Sequence, residues 1–164
     1  MLATAMPVQA AARPESEAFG KNLFQLQMLD DWDFFKFEDY ASLLGKKGLA
    51  RYRALAEAEW KKVPARAPGA KREPGTGYYR VAALMEALAR HAGDVDALVG
   101  VQSRDLSYPY HFLKIAEILT GAGRHAEALA WAERGQKAFP AKPDSRLVDF
   151  LADAYHRANR DEEG

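Results

Sequence analysis

An all-α fold of antiparallel helical hairpins, stacked in sequence order, is predicted by three observations. Alanine occurs 31 times against 12 for valine, isoleucine and threonine together, and alanine has the highest helix propensity whereas β-branched side chains lose rotamer freedom in a helix. Apolar residues recur at helical spacing, as in Val81, Leu84, Met85, Leu88 and in Val148, Leu151, Ala152, Tyr155, and no alternation of period two competes with them. Glycine, proline and aspartate punctuate these runs at intervals of one short helix.

The punctuation predicts about eight helices after a flexible tail, residues 1–12. Pro14 with Glu15 and Glu17 opens the first helix, which reaches Leu29, because proline lacks only an N–H that is orphaned there and acids complement the positive helix end. Asp30, Asp31 and Asp33 offer a cap for a second helix to Leu44, and Gly45 to Gly48 is read as a tight turn into a third, ending near Val63. Residues 64–77 hold three prolines and three glycines and are expected to be an irregular loop. A fourth helix spans Tyr78 to His91 and closes at Gly93. Asp94 caps a fifth to Arg104, and Ser107 caps a sixth, with Pro109 in its first turn and an end at Gly121 to Gly123. A seventh reaches Phe139, and Pro140, Pro143 and Asp144 introduce an eighth to Asn159. Residues 13–164 are thus expected to form one helical-repeat domain, with hairpins at 14–63, 78–104 and 107–139 and a partial one at 144–163.

Composition narrows the function classes. The 23 basic and 23 acidic side chains cancel, so no global field draws the molecule to nucleic acid or anionic lipid. The absence of cysteine excludes disulfides, thiolate metal sites and a cysteine nucleophile. Apolar runs are far shorter than the roughly 20 residues a membrane helix needs, and residues 1–12 lack the basic start and apolar centre of a signal peptide. A cytoplasmic protein is expected. No phosphate-cradling glycine loop and no nucleophile turn is present, and His91, His111, His125 and His156 show no spacing that places two imidazoles on one helical face. No enzyme, metal or cofactor is expected.

The hairpins repeat. Phe112, Ile115, Ala116, Leu119, Ala128, Ala132 and Pro140 occupy the seven required positions of the tetratricopeptide (TPR) pattern, with identity at Ala128 and Pro140. A shift of 36 superposes Phe112, Ile115, Ala116 and Leu119 on Val148, Leu151, Ala152 and Tyr155, and a shift of 31 the other way gives Val81, Leu84, Met85 and Leu88. Each hairpin leaves an apolar face that only the next can cover, so a TPR-like right-handed superhelix is expected. The last copy stops where its second helix should begin, which suggests either an excised fragment or self-association through the last hairpin.

The stretches GDVDALVGVQSRDLSYPYHFLKIAEI, GRHAEALAWAERGQKAFP and PDSRLVDFLADAYHRANRDE resemble the C-terminal helical-repeat region of bacterial SWIM zinc-finger family proteins. The segments WDFF and GLARYRALAEAEWKKVP are similar to that region's earlier hairpin. The resemblance covers about residues 13 to 163 and implies an interaction module. The family's zinc lies in a separate C-x-C…C-x-H finger, and this cysteine-free chain carries none of it.

Candidate sites follow from repeat position. Glu86, Glu117 and Asp153 superpose under the two shifts and are expected on the concave face, where with Tyr79, Tyr110, Lys114, Arg90 and Arg157 they would bind a protein or peptide. The competing structural reading pairs Glu86 with Arg90 and Asp153 with Arg157 along their helices. A basic stretch holds Lys46, Lys47, Arg51, Arg53, Lys61, Lys62, Arg66, Lys71 and Arg72. It could contact phosphates, with Tyr52 and Trp60 stacking on bases, but the favoured account is a basic helix beside the acidic segment Asp30 to Asp39, since no nucleic-acid motif accompanies it. Trp32, Phe34, Phe35 and Phe37 are expected to pack in the core. Ser103, Arg104, Asp105 and Ser107 could form a polar site, but a cap at Ser107 and a pair of Arg104 with Asp105 or a neighbouring carboxylate are the expected roles.

Overall fold

The computed structural model describes residues 16–32, 34–71 and 77–163; the predicted tail, Pro14, Asp33 and Arg72 lie outside them. The described residues are helical, with α1 at Ser16–Leu29, α2 at Phe37–Trp60, α3 at Tyr78–Ala92, α4 at Val95–Gln102, α5 at Pro109–Gly121, α6 at His125–Ala138 and α7 at Ser145–Glu163. Among them there is no strand, only one isolated bridge between Arg66 and Asp105. Contacts group the chain into two compact units that meet between Ala56 and Glu57.

The first unit is a hairpin closed over aromatic side chains. Leu23, Phe24, Phe37, Leu44, Tyr52 and Ala56 are buried, with the Tyr52 ring 5.1 Å from Phe37 and edge-on to Phe24 at 6.1 Å. Gly20 of α1 lies so close to Gly48 that a Cβ there would stand 2.2 Å from the Gly48 carbonyl oxygen. The predicted break between the second and third helices is a kink at Gly45, where φ is 62° and ψ is −178°, a conformation essentially confined to glycine. It occupies one residue rather than the expected turn, and Gly48 lies within the helix that continues beyond it. Asp30 caps no helix: its two oxygens accept the amides of Trp32 (3.1 Å) and Phe35 (2.8 Å), shaping the loop before α2. Of the expected aromatic core, Phe37 is buried while Trp32 and Phe34 are exposed, because that loop turns them outward before the helical period begins.

In the second unit consecutive helices pack as hairpins. α3 packs on α4, α4 on α5, α5 on α6 and α6 on α7, and α5 also touches α7. A Cβ on Gly135, late in α6, would lie 2.6 Å from Phe112 Cβ, early in α5, and 3.0 Å from Leu147 Cδ2, early in α7. His125 at the start of α6 meets Arg157 late in α7, so α6 and α7 are antiparallel. The core holds Leu113, Ile115, Ala116, Leu119, Ala128, Ala132, Leu147 and Leu151. Small residues at Ala128, Ala132 and Gly135 let α6 press onto α5. Asp94 caps α4 as predicted, accepting from the Ala97 amide at 2.9 Å, and Gly93 closes α3 with φ 64°. α7 continues past the expected end at Asn159 to Glu163, since asparagine tolerates a helix-ending left-handed conformation without requiring it.

Candidate functional site

Two polar constellations stand out in the second unit. The first was only half visible in the sequence. Asp105, between α4 and α5, is fully buried. Its Oδ1 accepts the Ser107 amide (3.0 Å) and hydroxyl (2.5 Å), and its Oδ2 lies 3.3 Å from Arg66 Nη1 and 3.8 Å from His111 Nε2. The backbone joins in: the Arg66 amide donates to the Arg104 carbonyl (2.8 Å), Leu106 to Arg66 (3.0 Å) and Gly69 to Ser107 (3.2 Å). A loop rich in proline and glycine is thus fastened to the α4–α5 connection by a buried carboxylate. Burial pushes the Asp105 pKa up, but the Ser107 bonds, His111 and Arg66 outweigh it and hold it below the ordinary aspartate value.

Two cation–π contacts seal this joint, with the Arg66 guanidinium 4.9 Å above Tyr78 and that of Arg104 4.8 Å above Trp60. Arg104 also donates to the Val63 carbonyl at 3.2 Å. Burial, helped by the nearby Asp105 charge, raises the Tyr78 phenol to about 12. Two expectations are corrected here. Ser107 spends its hydroxyl on Asp105, leaving Tyr108 at the uncapped start of α5. Arg104 stacks on Trp60, and the partner of Asp105 is Arg66, 39 residues earlier, a separation that no local spacing rule reaches.

The second constellation lies along the first helices of the hairpins. Glu86 on α3 binds Lys114 Nζ of α5 at 3.1 Å, accepts from Gln102 Nε2 of α4 and stands 3.8 Å from Arg90 on its own helix. The structure therefore brings together Glu86, Arg90 and Lys114, and Glu86 ties three helices rather than standing free as one rung of an acidic ladder. Tyr79 and Tyr110 are exposed at positions 31 residues apart, the repeat shift. Arg146 follows Tyr110 by the other shift, 36, and its guanidinium lies 5.3 Å over the Tyr110 ring. Arg146 also grips Asp144 at 2.9 Å. These bonds, with a smaller contribution from Tyr110 and Glu117, raise its pKa. Sequence reasoning missed Arg146; applying the shift to the tyrosine as well as to the acids would have found it.

Glu117 and Asp153 are exposed at their superposed positions. Arg157 does not take the expected partner Asp153. Its Nη1 lies 3.1 Å from His125 Nδ1, since α6 begins directly opposite it. The basic run is divided between the two units. Lys46, Lys47 and Arg51 are exposed and Arg53 is half-buried in the first unit, whereas Lys61 and Lys62 belong to the second, with Lys62 paired to Glu59 at 2.7 Å. Arg66 is withdrawn from solvent by Asp105. Among the described residues no group of three potential ligands could hold a metal ion, and no helix is long and apolar enough to cross a membrane.

Comparison of the chain with protein-family models, with curated proteins and with solved structures gave no match.

Proposed function

We propose that this chain is a non-catalytic, TPR-like interaction scaffold that binds a protein or peptide through the face carried by the first helices of its hairpins. The observation that carries the reading is the series Tyr79, Tyr110 and Arg146, at equivalent repeat positions on α3, α5 and α7. Both tyrosines stay exposed on helices whose opposite sides are filled by core. Tyrosine and arginine dominate binding hot spots because they offer large contact area with a polar handle. Packed helices hold them in fixed register, so little ordering entropy is lost on binding. Glu117 and Asp153 add negative charge along the same face, and Lys114 and Arg90 bound it through Glu86. The one buried carboxylate among the described residues, Asp105, is committed to holding a loop, which supports a display role over a catalytic one. Membership of a larger SWIM-type bacterial protein and a cytoplasmic location belong to the same proposal.

The test is quantitative capture of partners from the source cells by the intact chain and by a Tyr79→Ser, Tyr110→Ser, Glu117→Lys variant. These side chains are exposed, so the fold should survive, as circular dichroism would verify. The reading expects at least one partner to be lost. Identical partners at identical yields from both would refute it.

A further inference from the structure

A crevice of about 500 Å³ opens between the end of α5, the start of α6 and the last turns of α7, with Leu129, Phe150, Ala154 and Ala158 among its apolar lining. It lies on the side of α7 that faces the preceding hairpin. The shift of 36 sets Phe150 on Lys114, whose ammonium reaches back to Glu86 of α3. The side of α5 covered by the next helix is a different one and carries Phe112, for which the shift gives Val148. The crevice is therefore not the place of a helix stacked after α7.

The same joint one repeat earlier, where α5 meets the end of α3 and the start of α4, is filled. There Val95 packs against the core and Ile118 is half-buried. Under the two shifts their places are taken by Ala126 and Ala154, while Thr120 and Arg157 stand where that joint has Ala89 and Gly121. Two apolar fillers are thus cut back and two hydrogen-bonding side chains added, all four of the new residues lining the crevice. Its size falls in the range of about 300–1,000 Å³ usual for small-molecule sites, which are mostly apolar with a few placed polar groups. Thr120 Oγ1 is buried with no hydrogen-bond partner among the described residues, a state that an occupant bearing a polar group relieves.

The charges of the lining choose the occupant. Arg124 and Glu127 pair with each other at 2.6 Å. Arg157 Nη1 lies 3.1 Å from His125 Nδ1, and because a guanidinium only donates, the imidazole accepts there and is neutral. Arg157 is thus the cation of the lining that no carboxylate among the described residues neutralises. We propose that the crevice binds a small apolar carboxylate, an aryl- or alkyl-carboxylic acid. Its body lies on Leu129, Phe150 and Ala154, its carboxylate is held by Arg157, and the Thr120 hydroxyl serves as a further donor. None of these residues belongs to the tyrosine and arginine series, so the site stands or falls separately from the proposed partner face.

The probes are 3-phenylpropanoate and octanoate, each titrated into the full chain beside its uncharged amide and followed by the Thr120 and Ala154 methyl resonances. Saturable shifts are expected for the acids, with the amides weaker by about tenfold, the scale of a lost hydrogen bond to a charged group. Arg157→Gln, at an exposed position, should weaken the acids by a similar factor and leave the amides unchanged. Ala154→Ile rebuilds the filled joint of the earlier repeat and should abolish binding in a chain that stays folded, as circular dichroism checks. Ala126→Val fills the opposite wall and serves should Ala154→Ile disturb the fold. No saturable shift with either acid, acids and amides binding alike, or binding that survives filling of the crevice in a folded chain would overturn the proposal.

Discussion

Asp105 organises the α4–α5 connection, since the Ser107 amide and hydroxyl and Arg66 donate to it, His111 stands 3.8 Å away and a proline-rich loop hangs from it. Replacing it with alanine leaves the nearly buried Arg66 guanidinium without its carboxylate, a change that costs about 3–5 kcal/mol when a buried pair is broken. Urea unfolding of Asp105→Ala should show a loss of that order, and a loss below about 1 kcal/mol, the scale of an exposed pair, would contradict the burial. The sign of the pH dependence follows from the lowered pKa. The carboxylate contributes its stability above the ordinary aspartate range and loses it as pH falls through its lower folded value. Asp105→Asn should therefore flatten the acid limb of the stability curve. Tyr78 acts at the opposite end. With its folded pKa raised to about 12, the native state keeps a proton that the unfolded chain gives up near the ordinary tyrosine value, so stability should fall as pH rises between about 10 and 12. Tyr78→Phe should remove that decline, measured by denaturant titration at alkaline pH.

At the level of the helices, glycines decide how closely neighbours approach. Gly135→Ala would force a methyl to within 2.6 Å of Phe112 Cβ, an atom fixed to backbone that cannot swing aside. Overpacking of this kind costs about 1–3 kcal/mol, against the gain of up to about 1 kcal/mol that alanine brings to a helix interior. Thermal unfolding should show net destabilisation. Gly45→Ala meets open space, yet at φ 62° and ψ −178° it should cost about 1–3 kcal/mol through backbone strain alone. These helices were largely legible in the sequence. Alanine content, apolar spacing and the caps at Asp94 and Gly93 located α3 to α6 within a few residues, because those signals are local. Ser107 and Asn159 misled, since each offers a local hydrogen bond or turn that a tertiary partner or a continuing helix can outcompete. The kink at Gly45 was marked by glycine, but the local signal of two glycines and two lysines did not distinguish a one-residue kink from a four-residue turn.

Across the molecule, the repeat shift proved more informative than residue type. The shift of 31 relates Tyr79 to Tyr110 and the shift of 36 relates Tyr110 to Arg146, a series that extending the superposition beyond the acids would have revealed. It could not show that Glu86 is bound by Lys114 and Gln102, because that contact joins three helices whose separations differ in each repeat. The Arg66–Asp105 fastening was invisible for the same reason. What holds the second unit together is that each hairpin covers the apolar side of its neighbour, and everything proposed about its faces depends on that order. Gly135 reports it most directly, since its Hα atoms stand where a side chain would touch both the preceding and the following hairpin helix. Isotope-edited NOE spectra should show Gly135 Hα in contact with Phe112 of α5 and with the Leu147 methyls of α7 in the same molecule. Contact with Phe112 but none with Leu147, or with neither, would mean that the hairpins do not stack in sequence order.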